Sequence, residues 1–246
     1  MRIDKYLAKA GLGTRSQVRK LIKEGKVTLN QQYVKSGKVT LDEKNDRVEV
    51  AGKTIVYQPF FYYMLNKPQG VICATVDAEQ KTVLDLLDEA AQNSSLFPVG
   101  RLDKDTTGLV LITNDGKLAH RLLSPAHHIS KVYQVKVAGL IDEGSKRKLK
   151  EGMILRNGER VKGAEVQILQ TDQKNSWLRL TITEGKYHQI KRMIGSLSMR
   201  VLTLKRIKMG SLVLDSGLDL GEYRELTAAE IANLKEKRRG ETKKYS

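Results

Sequence analysis

The sequence predicts an α+β protein with two unequal domains and a short tail. Segments with the alternating polarity of half-buried strands outnumber segments with helical spacing, and short turns separate many of them. This pattern favours a largely antiparallel sheet. A chain of 246 residues, 40% of them hydrophobic, is long enough for one large domain or two unequal ones. The predicted boundaries are 1–58 for a small domain with its linker, 59–234 for a larger domain and 235–246 for a basic tail.

The charge of the chain points to a polyanionic partner. It holds 44 Lys and Arg residues against 28 Asp and Glu residues, a net charge of +16. The first 48 residues alone hold 12 basic and 5 acidic residues. Basic proteins associate with nucleic acid because binding releases the counterions condensed on its phosphates. Nucleic acid is therefore the expected partner.

Several classes of protein do not fit this sequence. Cys73 is the only cysteine, so neither an internal disulfide nor a thiolate metal cluster can form, and the four histidines lack the spacing of a zinc site. No apolar run approaches the ~20 residues that span a bilayer. The N-terminus contains Asp4 and has no apolar segment, so we do not expect it to act as a secretion signal. We expect a cytoplasmic monomer without a metal and without a membrane contact.

The first domain is predicted to contain two short helices followed by a small sheet. Apolar side chains at near-helical spacing predict a helix over 3–10. The run Thr14–Gln17 has the composition of a capping box and begins a second helix, which Gly25 ends. Alternating polarity at 27–30 and 48–50 predicts strands. The second helix has a basic face, which carries Arg15, Arg19, Lys20 and Lys23.

The second domain is predicted to consist mainly of strands. The first strand, Phe61–Leu65, is followed by the loop Asn66–Gly70, in which Pro and Gly favour a turn. The run Asn114–Gly116 indicates a tight turn after another strand. Further strands are predicted at 110–113, 132–137, 164–169, 177–183 and 201–207. Short helices are predicted at 83–87, at about 187–197 and after a capping box that begins at Thr227.

The segment 97–109, FPVGRLDKDTTGL, is the densest in residues suited to chemistry. It is polar and leads directly into an apolar strand, so its side chains are accessible on a rigid support. The residues alone leave three interpretations open. The segment is a loop whose polar side chains cap neighbouring backbone, the aspartyl nucleophile of a phosphotransferase of the haloacid dehalogenase type, or a glycosidase pair formed by Asp103 and Asp105. The second lacks a strand running straight into the first Asp, and the third lacks an aromatic-rich cleft.

Four blocks follow one another along the chain: FYYMLNKPQGVICAT, GRLDKDTTGLVLITNDG, SPAHHISKVYQVKV and EGKYHQIKRM. In this order they closely resemble pseudouridine synthases of the ribosomal small-subunit synthase A family. The N-terminal run RIDKYLAKAGLGTRSQVRKLIKEGKVTLN resembles the S4 RNA-binding domain. Together the resemblances cover nearly the whole chain. They imply a small S4-like α/β RNA-binding domain, followed by a catalytic domain with a largely antiparallel mixed sheet and a central RNA-binding cleft.

The resemblance implies roles for particular side chains. Asp103 matches the catalytic aspartate of the family, and Lys191 matches the basic residue that ion-pairs with it. Tyr133 matches the tyrosine that stacks on the flipped base, and Arg101 matches a side chain that helps hold the target nucleotide out of the stack. Without the resemblance, Tyr133 reads as an ordinary strand aromatic and Lys191 as a phosphate contact. The predicted RNA contacts are Arg2, Lys5, Arg15, Ser16, Arg19, Lys20, Lys23, Lys67, His188 and Arg192.

The implied reaction converts one uridine of 16S (small-subunit) ribosomal RNA, naked or in a pre-ribosomal particle, to pseudouridine. The N1–C1′ bond breaks and the uracil rejoins through C5, so nothing is oxidised and no cofactor is expected. An ionised carboxylate acts as base at C2′ or as nucleophile at C1′ or C6, and a neighbouring cation keeps it ionised. Two alternatives stay open: a large-subunit (23S) synthase of a sister subfamily, and a non-catalytic assembly factor that binds RNA.

Overall fold

The chain forms two compact units, Met1–Phe60 and a larger one that begins at Phe61. The structure is a computed structural model that describes residues 1–43, 45–57, 59–88, 91 and 95–236. The division lies two residues after the predicted boundary at 58. The predicted tail begins at Lys235, which is the last residue of a helix, and from 237 onwards it lies outside the described residues.

The first unit combines two helices with a four-stranded antiparallel sheet. Its elements are α1 (Ile3–Lys9), α2 (Arg15–Lys23), β1 (Val27–Leu29), β2 (Gln32–Tyr33), β3 (Val48–Val50) and β4 (Lys53–Ile55), with strand order β2-β1-β3-β4. The predicted capping box is confirmed, because the Thr14 hydroxyl accepts from the Gln17 N–H and the Gln17 side chain accepts from the Thr14 N–H. Apolar residues of both helices and of the sheet form one buried core.

The second unit is built on a nine-stranded mixed sheet. Its strands are β5 (Tyr62–Lys67), β6 (Phe97–Pro98), β7 (Thr107–Thr113), β8 (Lys131–Ala138), β11 (Glu165–Thr171), β12 (Asn175–Ile182), β13 (Arg200–Met209), β14 (Leu212–Val213) and β15 (Tyr223–Glu225). The order is β11-β12-β8-β13-β7-β5-β15, with β14 beside β13 and β6 beside β7. Among these described strands only β13 and β7 pair in parallel. The predicted largely antiparallel sheet is confirmed.

Helices and a small hairpin surround this sheet. Among the described residues of this unit, the helices with defined bounds are α3 (Gly116–Leu123), α4 (Glu143–Glu151), α5 (Gln189–Gly195) and α6 (Ala228–Lys235), with 3-10 turns at Leu84–Leu86 and Pro125–His127. The hairpin consists of β9 (Met153–Ile154) and β10 (Arg160–Val161). In the part of the chain that the structure describes, no helix combines the length and the apolar character needed to cross a membrane.

The centre of the sheet is buried on both faces. Successive side chains of a strand point to opposite faces. Strand β7 therefore supplies Val110 and Ile112 to one core and Leu109 and Leu111 to the other. This double burial explains the continuous apolar run that the sequence shows at this strand.

Two local predictions are wrong. The strand β5 continues through Asn66 and Lys67, which the sequence placed in a loop. The run Asn114–Gly116 begins helix α3 instead of a tight turn, because the Asp115 carboxylate caps the helix by accepting from the Leu118 N–H. Asx and Gly residues favour both structures, so the local pattern is ambiguous.

Helix α4 is not predicted by the sequence. Only Leu149 of this helix is buried, so the segment has no apolar stripe at helical spacing.

Candidate active site

A buried lysine forms hydrogen bonds with the main chain of the loop that carries Asp103. Lys67, the last residue of β5, is fully buried. Its ammonium donates to the main-chain carbonyls of Pro68, Asp103, Lys104 and Thr106 at 2.9 to 3.3 Å. Burial holds the pKa of Lys67 below its ordinary value. The predicted RNA contact of Lys67 is therefore wrong, because its ammonium is shielded from solvent and already has protein acceptors. A lysine at the end of an apolar strand was the signal that could have indicated this role.

Replacing Lys67 by methionine is expected to lower the free energy of unfolding by about 1–3 kcal/mol, because buried carbonyls lose their donor. Denaturant-induced unfolding measures the effect. Lys104→Met is the matched control, since Lys104 is an exposed lysine of the same loop. Equal stability of the two variants would show that the Lys67 hydrogen bonds do not hold the loop.

Lys191 lies between two carboxylates. Its Nζ atom is 2.8 Å from Asp103 Oδ2 and 2.5 Å from Asp105 Oδ1. Burial disfavours the charged ammonium, but the hydrogen bonds that it donates to Asp103 and Asp105 outweigh this effect and raise the pKa of Lys191. The hydrogen bond with Lys191 in turn holds the pKa of Asp105 below its ordinary value. The structure thus brings the implied Asp103–Lys191 pair together and adds Asp105 as a second carboxylate partner of Lys191.

The Asp103–Lys191 pair is only partly buried. The Lys191 and Asp103 side chains are 23% and 26% exposed. The reason is their position: Asp103 lies in the loop between β6 and β7, and Lys191 lies in the first turn of α5, so neither belongs to a strand of the buried sheet. The pair is therefore accessible to a ligand that enters from solvent.

His188 lies on the other side of the Asp103 carboxylate. Its Nε2 atom is 3.5 Å from Asp103 Oδ1, which is too long for a strong hydrogen bond. The residue adopts a left-handed backbone conformation (φ +47°) directly before α5, and its ring stacks on that of Tyr187 with centroids 3.9 Å apart. The two oxygens of Asp103 therefore differ: Oδ2 is ion-paired to Lys191, and Oδ1 has the His188 ring as its more distant neighbour.

The four residues with implied catalytic roles line one recess. Asp103, Tyr133, Arg101 and Lys191 surround a space of about 70 Å³. Tyr133 projects from β8 and is largely buried, whereas Arg101 is exposed. Asp103, Arg101 and His188 also line a larger groove of about 820 Å³. Because the same residues line both spaces, the recess is continuous with an open groove.

Arg192 is engaged by the protein. Its guanidinium forms an ion pair with Glu159 at 2.7 Å and donates to the Asn157 side chain and to the main-chain carbonyl of Tyr187. These contacts tie α5 to the hairpin of β9 and β10. The structure gives Arg192 a structural contact, and its RNA contact stays a prediction.

In the first unit, three of the predicted RNA-contacting cations converge on one buried carboxylate. Arg2, Arg15 and Arg19 form ion pairs with Asp4 at 2.9 to 3.0 Å. Burial alone would raise the pKa of Asp4, but hydrogen bonds from Arg15 and Arg19 outweigh it and lower the pKa. Arg15 and Arg19 stay 48% and 51% exposed. Sequence analysis assigns no role to Asp4, although an aspartate on the apolar face of α1 is a signal of a buried ion pair. Four other predicted contacts are exposed: Lys5, Ser16, Lys20 and Lys23.

Two segments of the chain match known families. Residues 61–196 match the RNA pseudouridylate synthase family, and residues 1–48 match the S4 domain. The chain belongs to the RNA pseudouridylate synthase family. The synthase is thus an enzyme of the kind that the ordered sequence blocks implied, and its first unit is an S4 domain.

Relatives match nearly the whole synthase. It is 44% identical to an RNA pseudouridine synthase of Bacillus subtilis, over 96% of this chain and 99% of the relative. It is 44% identical to a ribosomal small subunit pseudouridine synthase A of Vibrio vulnificus (94% and 98% covered) and 38% identical to that of Escherichia coli (95% and 100%). A crystal structure of a pseudouridylate synthase, 41% identical, matches with a TM-score of 0.66 and covers 95% of this chain and 99% of that one.

Proposed function

We propose that the enzyme isomerises a uridine of small-subunit ribosomal RNA to pseudouridine, with Asp103 as the catalytic carboxylate. The observation that carries the proposal is the Asp103 carboxylate itself, ion-paired to Lys191 at 2.8 Å in a recess that Tyr133 and Arg101 also line. Relatives named ribosomal small subunit pseudouridine synthase A, 38% to 44% identical over nearly the full chain, support the choice of RNA.

The geometry suits a carboxylate that must stay ionised when RNA covers it. Covering the site removes water and raises the pKa of an unpaired carboxyl group. Lys191 opposes this by holding Asp103 Oδ2, which leaves Oδ1 for the nucleotide. A base at C2′ and a nucleophile at C1′ or C6 both require an ionised oxygen of this kind. The N1–C1′ bond then breaks and the C5–C1′ bond forms, while C5 loses a proton and N1 takes one up, so the product is an isomer of uridine.

Tyr133 and Arg101, which also line the recess, are suited to hold a base that has left its stack. A uridine must leave its stack to reach Asp103, at a cost of a few kcal/mol. Tyr133 offers an aromatic ring beside the carboxylate, on which the uracil stacks. Arg101 is exposed at the rim, where its guanidinium fills the space that the nucleotide leaves.

The S4 domain supplies further affinity through phosphate contacts. Asp4 holds Arg15 and Arg19 in fixed positions while half of each side chain stays exposed. Fixed guanidiniums lose less conformational freedom when they bind a phosphate. Lys20 lies exposed on the same helix. These three cations are the proposed phosphate-binding face of α2.

Neutralising this face is expected to weaken RNA binding and to flatten its dependence on salt. The variant carries Arg15→Gln, Arg19→Gln and Lys20→Gln together with Asp4→Asn, so that no unpaired buried carboxylate remains. Asp4→Asn alone is the control. Each lost phosphate contact should lower the slope of log affinity against log salt by about 0.7–0.9. Slopes that are the same for variant and control would show that these cations form a solvated surface.

The test of the function uses ribosomal RNA from a strain that lacks the enzyme. Small-subunit and large-subunit RNA are incubated separately with the purified protein, and pseudouridine is detected by carbodiimide modification and primer extension. We expect a new pseudouridine in small-subunit RNA. Modification of large-subunit RNA alone would assign the enzyme to a sister subfamily. Binding without any product in either RNA would contradict the proposed substrate.

A further inference from the structure

A second pocket adjoins the active-site groove at Tyr187. We propose that it binds the base of the unpaired nucleotide next to the target uridine, and this inference rests on the proposed function. Tyr187 lines both the groove that reaches Asp103 and the second pocket. His188, which stacks on Tyr187, is 3.5 Å from Asp103. The stacked pair therefore connects the reacting carboxylate to the second pocket.

The second pocket has the size and chemistry of a site for one base. Its volume is about 490 Å³, within the range of ~300–1,000 Å³ that is usual for small-ligand sites. Leu155 is buried and provides an apolar wall, Asn157 and Ser196 provide exposed polar side chains, and Arg156 provides an exposed cation. A nucleotide presents flat apolar faces, a polar edge and a phosphate, which match these three features.

Tyr187 is suited to stack on that base. One face of its ring is covered by His188 at a centroid distance of 3.9 Å and an interplanar angle of 17°. The residue is nevertheless 74% exposed, so the rest of the ring is open to solvent. Single-stranded RNA is commonly recognised by stacking unpaired bases on such rings. The Tyr187–His188 stack would continue through the bound base.

The walls of the pocket are held in place without a ligand. Arg192, in α5, binds Glu159 and Asn157 of the hairpin segment. Lys186 also pairs with Glu159, at 3.3 Å, and donates to the main-chain carbonyl of Arg160. These contacts join α5 and the preceding loop to the hairpin that forms the opposite wall. A preformed pocket loses little freedom on binding, which favours specific recognition of one base.

Gly195 allows the pocket to be filled without strain. It is the last residue of α5 and lines the pocket, and a Cβ atom added there would meet no atom within 4 Å. Gly195→Gln should therefore place its side chain in the pocket while the fold is preserved. Gly116→Gln is the matched control, because Gly116 is also helical and equally open but does not line the pocket. Thermal unfolding of both variants verifies that they fold.

The experiment measures binding of an RNA segment centred on the modified uridine, mapped as described above. Three forms are compared: the intact segment, and segments with an abasic ribose on the 5′ or the 3′ side of the uridine. In the wild type, one abasic site should weaken binding roughly 5- to 150-fold, the usual contribution of a base stacked on an aromatic ring. Gly195→Gln should weaken binding of the intact segment by a similar factor. The variant should then bind the intact segment and that abasic segment with the same affinity.

Three outcomes overturn the inference. The first is equal affinity of Gly195→Gln and Gly116→Gln for the intact segment. The second is a Gly195→Gln variant that loses as much further affinity on the abasic segment as the wild type does. Independent losses of this kind would show that the base does not occupy the pocket. The third is a weakened Gly195→Gln variant with no effect of either abasic site, which would assign the pocket to another occupant. If the modified uridine lies outside small-subunit RNA, the proposed function is overturned but this inference is not. The same binding measurement is then made with the RNA segment around that uridine.

Discussion

Replacing Asp103 by asparagine is expected to abolish pseudouridine formation while RNA affinity stays within a few-fold of the wild-type value. The amide is nearly isosteric but is neutral, so it acts neither as a base nor as a nucleophile. The variant should fold, because Lys191 keeps Asp105 as an ion-pair partner. Product is measured by nuclease digestion and chromatography of the RNA, and affinity by filter binding.

Asp105→Asn is the matched control for this variant. It removes the other carboxylate that contacts Lys191 and leaves the Asp103–Lys191 pair in place. We expect it to retain substantial activity. Substantial turnover by Asp103→Asn, or an equally inactive Asp105→Asn, would contradict the assignment of Asp103 as the reacting carboxylate.

The second large effect is expected for Lys191→Met, whose maximal rate should fall by orders of magnitude and recover partly as pH rises. Without the ammonium, Asp103 and Asp105 face each other with no cation between them. Repulsion between like charges raises the pKa of a carboxyl group. A carboxyl group with a raised pKa is protonated below that pKa, so its ionised fraction and the rate both increase as pH rises through it. The maximal rate at saturating RNA, measured against pH, tests this.

Two further variants separate this explanation from a simple loss of RNA affinity. Lys191→Arg keeps the cation and should retain much of the rate. Adding Asp105→Asn to Lys191→Met removes the repulsion and should move the pH-dependent recovery to lower pH. If Lys191→Met showed a normal maximal rate and only weaker RNA binding, Lys191 would instead be a phosphate contact.

Elements with strong local signals could be predicted from the sequence. The capping boxes at Thr14 and Thr227 each place a helix start, because the side chains that satisfy the first N–H groups are encoded within four residues. The apolar run of β7 identified a buried strand. Where a local pattern is compatible with two structures, as at Asp115, the sequence alone could not distinguish a tight turn from a helix start. There the outcome depended on which backbone groups the carboxylate reached.

The polar contacts of the site depend on partners that are distant in the sequence. Lys67 donates to the carbonyl of a residue 36 positions away, and Lys191 binds Asp105 across 86 positions. No local pattern shows that a lysine is buried or that two carboxylates share one cation. The order of the sequence blocks indicated Asp103 and Lys191 by resemblance. The geometry around them became visible only when the chain was folded.

The most direct test of the central claim is a map of pseudouridine across the ribosomal RNA of three strains. One lacks the enzyme, one expresses the wild-type chain and one expresses Asp103→Asn at the same level. We predict one small-subunit uridine that is modified only in the strain with the wild-type enzyme. The same pseudouridine in the Asp103→Asn strain, or no difference in small-subunit RNA among the three strains, would contradict the account.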